Sequence, residues 1–244
     1  MTPTLSICQL YPADMNMYGD WGNVLTLARR AEAQGLNVEI REHNIGDATD
    51  FASVDLIVGG GGQDSAQLKA HADLVKQATA LKQLAEAGLP MLVVHGMYQL
   101  FGKQVETTSG EIVQGIGIFD AVTTLGKERL LGNITVDTPD FGKLIGYENH
   151  LGSTTLSGGT MPLGTCPKGM GNNETDGTEG ARAFNVIGTY LHGALLPKNP
   201  VLADFLIDTA IQRKEPSWAT EVAEDPALVE LTEKARKVAA SRPR

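Results

Sequence analysis

Apolar and polar positions follow two different rhythms along this chain. Leu5-Ser6-Ile7-Cys8-Gln9-Leu10-Tyr11 reads as a strand stopped by Pro12. Over 22–34 the residues Val24, Leu25, Leu27, Ala28 and Ala31 fall at helical spacing, and Gly35 ends the run. Residues 37–42 alternate Val38 and Ile40 with Glu39 and Arg41, which predicts a second strand. A third strand, 55–58, is short and apolar and runs into Gly59-Gly60-Gly61-Gly62. The spacing predicts a long helix over 66–87, closed by Gly88. Pro90 then opens a fourth buried strand at 91–94, and 97–101 begins another helix.

Four strands separated by helices of this length are βαβ units. Right-handed crossovers turn them into a parallel sheet with helices on both faces, an α/β fold whose ligands sit beyond the carboxyl ends of the strands. From about 115 to 189 the rhythm changes to Gly- and Thr-rich stretches with short apolar runs such as 133–136, read as β-hairpins and loops added to the same sheet. Residues 167–180 carry Asn172, Asn173, Asp176 and several glycines without an apolar period, which predicts an exposed loop. Residues 183–190 read as one strand leading into Leu191-His192-Gly193. Asn199 and Pro200 then start a helix with Val201, Leu202, Phe205 and Leu206 facing inward. A last helix is expected from Asp225-Pro226, with a mixed-charge tail. The division expected is one domain over 1–213 and a helical extension over 214–244.

Composition narrows the function more than the fold. Of the 244 residues 42% are apolar but only 5% aromatic, so the core must be largely aliphatic. A net charge of −9 removes electrostatic attraction to nucleic acid or anionic membranes. No stretch approaches the roughly 18 apolar residues of a membrane span, and the N-terminus has no basic, cleavable leader. The two cysteines, Cys8 and Cys166, make no disulfide framework. No histidine–cysteine cluster has zinc-ligand spacing. These features predict a cytoplasmic protein without a metal.

Strand-turn-helix junctions are where α/β enzymes lift one side chain above the sheet beside backbone N–H groups that stabilise an oxyanion. Val94-His95-Gly96-Met97-Tyr98-Gln99 is such a junction with His95 at its apex, and His192 follows a second strand. Convergence of the two histidines on one pocket is the arrangement acid–base or nucleophilic chemistry needs. The glycine run 59–62 permits close ligand approach.

Several segments together resemble one family: Tyr98-Gln99-Leu100-Phe101-Gly102, residues 59–64, Gly146-Tyr147-Glu148-Asn149-His150, Gly171-Asn172-Asn173 with Asp176-Gly177, and Thr189-Tyr190-Leu191-His192-Gly193. They are similar, in order, to the cobyric-acid-synthase-type class I glutamine amidotransferases. Leu10-Tyr11-Pro12, residues 15–20 and Gly22-Asn23 narrow the resemblance to GatD-like proteins, the glutaminase subunits of lipid II isoglutaminyl synthases. The resemblance implies a flavodoxin-like sheet and a MurT-like Mur ligase as partner. It also implies release of ammonia from glutamine for amidation of D-glutamate in lipid II during peptidoglycan synthesis. No cofactor is implied in this chain; ATP belongs at the partner ligase. His192 matches the family's catalytic histidine, Gly61, Gly62 and Gly96 its oxyanion region, and Arg129 the arginine that holds glutamine. Gln99 borders the elbow.

The departures matter as much. The family elbow reads Ile-Cys-Gly-Gly-Tyr-Gln, so His95 stands in the place of the nucleophilic cysteine and Met97 in that of the second glycine. An imidazole does not readily copy thiolate chemistry on a primary amide, and neither Cys8 nor Cys166 replaces the thiol by position. Three readings stay open on the sequence: a glutaminase subunit, a non-catalytic scaffold or regulator of the same ligase, and a divergent hydrolase using His95 and His192.

Overall fold

The computed structural model describes residues 2–218 and 226–242. In chain order the first half holds β1 (Thr4–Leu10), α1 (Trp21–Ala33), β2 (Asn37–His43), β3 (Leu56–Gly59), α2 (Asp64–Glu86), β4 (Met91–Val94) and α3 (Gly96–Phe101). Then come β5 (Gln104–Glu106), β6 (Ile112–Gln114), β7 (Ala121–Thr138), β8 (Gly142–Leu156), β9 (Gly164–Thr165), β10 (Thr178–Glu179), β11 (Ala181–Ala183) and β12 (Val186–Thr189). α4 (Pro200–Lys214) and α5 (Pro226–Ser241) close the chain.

The main sheet runs β11-β12-β4-β3-β1-β2, with every neighbouring pair parallel except β11 with β12. Its inner strands β1, β3, β4 and β12 are buried on both faces, as crossover helices require, whereas the edge strand β2 is largely exposed. Leu5, Ile7, Leu56, Val58, Leu92 and Val94 join α1 and α4 in one aliphatic core. Cys8, Leu10, Ile57, Met91 and Val93 alternate with them and pack under α2 and α3 in the other. The parallel α/β sheet expected from the first half is therefore present.

The second half departs from expectation in three ways. Its hairpins build a separate sheet, β10-β9-β7-β5-β6 with β8 paired to β7. In it β7 and β8 form one long antiparallel ribbon whose register shifts between Leu125 and Leu130. The run 183–190, expected as one strand, is a hairpin, because Phe184 turns the chain at φ 55° and β11 folds back on β12. Residues 167–180 are only in part the exposed loop expected: 167, 168 and 174–176 are exposed, and the rest is not. Gly171, Asn172, Asn173, Glu179 and Gly180 are buried, and backbone-directed hydrogen bonds such as Asn172 Nδ2 to Gly180 O satisfy the polar groups. An apolar period cannot reveal a segment buried through its polar atoms.

α5 lies against β7 and β8. There Arg236 donates to the carbonyls of Lys143 and Lys198 and to Asn199 Oδ1. Asp225, from which the last helix was expected to begin, lies outside the described residues. Among the described residues no helix is long and apolar enough to cross a membrane.

Candidate functional site

β1, β3, β4 and β12 end at the same rim of the sheet, and each delivers one part of the site. At the end of β4 the chain turns sharply at His95, with φ 53° and ψ −115°. A non-glycine residue in this region costs on the order of 1–3 kcal/mol and persists only where its surroundings fix it. Here His95 N donates to Thr189 O at 2.9 Å, which ties the turn to β12. His95 Nε2 meets the carbonyl of Asn149 on β8 at 3.1 Å, while Nδ1 is buried with no hydrogen-bond partner among the described residues. Burial, with His192 and His150 nearby, pushes the His95 pKa down to about 3, so its ring is neutral near pH 7.

His192 stands where β12 gives way to the following loop, its backbone N–H donating to Tyr147 O of β8 at 2.9 Å. Its Nδ1 contacts Tyr190 O at 2.9 Å. A carbonyl only accepts, so Nδ1 carries the proton and Nε2 the lone pair, the tautomer a general base needs. Burial lowers its pKa too. The rings of His95 and His192 stand nearly perpendicular, with centroids 5.6 Å apart. Tyr18 packs against both, at 5.0 Å from His95 and 4.6 Å from His192. The two histidines singled out in the sequence are thus brought together.

A cleft of about 260 Å³ opens beside them, lined among others by Tyr18, Gly62, Asp64, Gln67, His95, Gln99 and Arg129. Gln99 Nε2 donates to Tyr190 Oη at 3.2 Å, and its Oε1 accepts from Gln67 at 3.0 Å. Arg129 lies in the register shift of β7 and donates to Asn149 Oδ1 at 2.6 Å. Asn149 therefore links the arginine, through its side chain, to His95, through its carbonyl. His192 is 3% exposed and is absent from the cleft wall; it adjoins the cleft through its ring contacts with His95 and Tyr18.

The glycine turn packs tightly under this apex. A Cβ on Gly61 would lie 3.0 Å from His95 Cβ and 2.9 Å from Tyr18 Cδ2, and one on Gly96 2.5 Å from Gln67 Oε1. Only glycine allows the backbone so close to the elbow. The Gly61 amide is already held by Asp20 Oδ2 at 3.0 Å. Desolvation raises the Asp20 carboxyl to about 6.

Below the rim, Glu179 is fully buried and accepts from Tyr190 N at 2.7 Å and from Thr189 Oγ1 at 3.0 Å, bracing the turn that carries His192. Burial pushes it up to about 8, opposed by these bonds and assisted by Glu148. A carboxyl with a folded pKa above its unfolded value binds more protons folded than unfolded, so its contribution to stability declines as pH rises between the two. Glu179→Gln removes that dependence. Melting curves between about pH 4.5 and 8 are expected to show a shallower decline, or a steeper rise, for the variant than for the parent. Parallel curves would contradict the assignment.

Tyr18, Gln67, Asn149 and Glu179 were not expected as site residues. Tyr18 and Asn149 lie inside segments that carry the family resemblance, whereas Gln67 and Glu179 carry no local signal. Cys8 lies within β1 and faces the core under α2 and α3, where burial raises its thiol to about 12. Cys166 is half-buried with Sγ 3.5 Å from Met170 O.

Comparison with known proteins gives the same architecture a family context. Residues 6–200 match the CobB/CobQ-like glutamine amidotransferase domain. The GatD subunit of the glutamine-hydrolysing lipid II isoglutaminyl synthase of Staphylococcus aureus (strain N315) is 37% identical over 242 residues, 98% of this chain and 99% of that one. The corresponding GatD subunit of Streptococcus pneumoniae (strain ATCC BAA-255 / R6) is 35% identical over 212 residues, 86% of this chain and 82% of that one. Among solved structures, the glutaminase domain of Trypanosoma brucei CTPS with bound acivicin superposes with a TM-score of 0.56 at 10% identity, covering 91% of this chain and 98% of that one. PurLQS from Thermotoga maritima superposes with a TM-score of 0.55 at 15% identity, covering 88% and 99%.

Proposed function

This chain belongs to the CobB/CobQ-like glutamine amidotransferase family, and on that footing we propose that it is the amidotransferase subunit of a lipid II isoglutaminyl synthase. It supplies ammonia from glutamine to a MurT-like Mur ligase, which uses ATP to amidate the D-glutamate of lipid II in the cytoplasm. The observation that carries this reading is the end-to-end likeness to a GatD subunit, 98% of one chain against 99% of the other. The shared cleft of His95, Gln99 and Arg129 supports it.

Glutamine turnover without a thiolate is a direct hydrolysis. His192 Nε2 takes a proton from water, the water oxygen bonds to the amide carbon, and the proton passes to the departing nitrogen as the C–N bond breaks. Glutamate and ammonia leave. Amides of the Gly62 and Gly96 region stabilise the oxyanion, and Arg129 holds the α-carboxylate through its planar fork. Such a route lacks the covalent intermediate that splits the step in two, and it is slow. Arg129→Ala is expected to raise the glutamine KM at least about tenfold with a smaller change in kcat, because a charge-assisted contact contributes about 1.5–3 kcal/mol. An unchanged KM would remove Arg129 from the substrate site.

A second reading, a subunit that assists its ligase without turning over glutamine, is favoured by the covering of His192, at 3% exposure. Native copurification tests the common ground of both: a Mur-ligase-type protein is expected to accompany this chain. Glutamate release by that complex separates them. Isolation of the chain with no ligase, and no effect of its removal on lipid II amidation, would refute both.

A further inference from the structure

Between the β5–β6 hairpin and the start of α2 lies a second cavity, of about 210 Å³, beside the cleft. Leu68, Leu100, Val105, Val113 and Leu125 form its walls. Leu100, Val105 and Val113 belong to the core, while Leu68 of α2 is exposed. Walls of this kind favour an apolar guest, because it takes their surface out of water. The hairpin turn is closed on itself and asks nothing of such a guest. Thr107 N donates to Glu111 O at 2.8 Å, and Thr107 Oγ1 accepts from Glu111 N at 3.1 Å and meets Ser109 Oγ at 2.9 Å. The charges around the cavity, however, have one sign. Asp64 and Glu111 line it and no lysine, arginine or histidine does. Neither carboxylate has a hydrogen-bond or ion-pair partner for its side chain among the described residues. The start of α2 accounts for Asp64; Glu111, in the hairpin turn, has no such compensation. An apolar guest with an anionic head is repelled here, and one with a cationic head is attracted.

We propose that this cavity binds a small primary amine with an apolar body, its hydrocarbon part against the leucine and valine walls and its ammonium group on Asp64 and Glu111. Asp64, Gln67, Thr108 and Leu125 also line the cleft of His95 and Arg129, so an amine held here sits next to the amide site and shares a wall with it. The site does not depend on glutamine turnover or on a ligase, and its test needs neither.

Benzylamine, benzyl alcohol and phenylacetate carry the same ring with a cationic, a neutral and an anionic head. Each is titrated into the full chain at equal ionic strength, with methyl and amide resonances followed by NMR. Saturable benzylamine shifts are expected at the methyls of Leu100, Val105 and Val113. Benzyl alcohol should bind at least about tenfold more weakly, since it lacks the charge-assisted contacts, and phenylacetate should not bind. Asp64→Asn with Glu111→Gln, both at exposed positions, should weaken benzylamine at least about tenfold for the same reason and leave benzyl alcohol unchanged. Val113→Phe, which fills the cavity, should abolish binding of both; should that variant not fold, the ligand series and the charge variant still decide. No saturable shift, equal binding of all three compounds, or shifts confined to the amides of Gly62 and Arg129 in the cleft would overturn the proposal.

Discussion

His95→Cys is expected to raise glutamate release from glutamine by at least about 100-fold over the parent chain, the lower end of what one positioned catalytic group contributes. The elbow that would hold the new thiol is already formed, with φ 53° and ψ −115° at position 95 and the backbone amide anchored on Thr189 O. The base is also prepared: His192 carries its proton on Nδ1, facing Tyr190 O, and keeps Nε2 free to accept one. Exchanging a ring for a thiol vacates space beside His192, whose ring lies 5.6 Å from that of His95. Gln99 and Arg129 remain on the cleft wall. Steady-state glutamate release by the two proteins, with and without ligase, measures the gain. A cysteine variant as slow as its parent would mean that His192 cannot reach position 95. A parent turning over at ordinary enzymatic rates would mean that the thiol was never needed.

Met97→Gly, the other return to the family elbow, is expected to destabilise the fold by about 3–6 kcal/mol and to help catalysis little. In the sequence Met97 stands in the place of the family's second glycine. Its side chain points into the core under α3, fully buried, where a Cβ on Gly59 would come within 2.6 Å of Met97 Cγ. Truncating a buried methionine costs about 2–5 kcal/mol, and glycine within a helix adds about 1 kcal/mol. Gly59→Ala should partly restore the double variant by refilling that space, although alone it destabilises by overlap with Met97. Denaturant midpoints decide this. A loss under about 1 kcal/mol for Met97→Gly, against the truncation range, would show that Met97 does not fill the core as described.

Legibility in the sequence followed burial chemistry. β1, β4, α1 and α2 bury continuous apolar runs or helical stripes, so their periods announce them. The β7–β8 ribbon is rich in Gly, Thr and charged residues, and its register shift at Leu125–Leu130 breaks the period of two. In the sequence it therefore reads as scattered short hairpins. Residues 167–180 are held by Asn172 on Gly180 O, by Asn173 on Thr154 O of β8 and by the Gly171 amide on Glu148 of β8, polar contacts that leave no apolar period. The same holds within the site. His95 and His192 are conspicuous as histidines at strand ends, whereas Asn149 matters through its carbonyl, which any residue possesses. Glu179 matters through its depth, which composition does not report.

Isotope transfer tests the nitrogen-supplying role most directly. The purified complex of this chain with its ligase is given ATP, lipid II and glutamine labelled with ¹⁵N in the side-chain amide, and the product is read by mass spectrometry. Label is expected in the new carboxamide of lipid II, slowly with the parent chain and faster with His95→Cys, and unlabelled ammonium should dilute it. Amidation at the same rate and with the same labelling when this chain is left out would contradict that role.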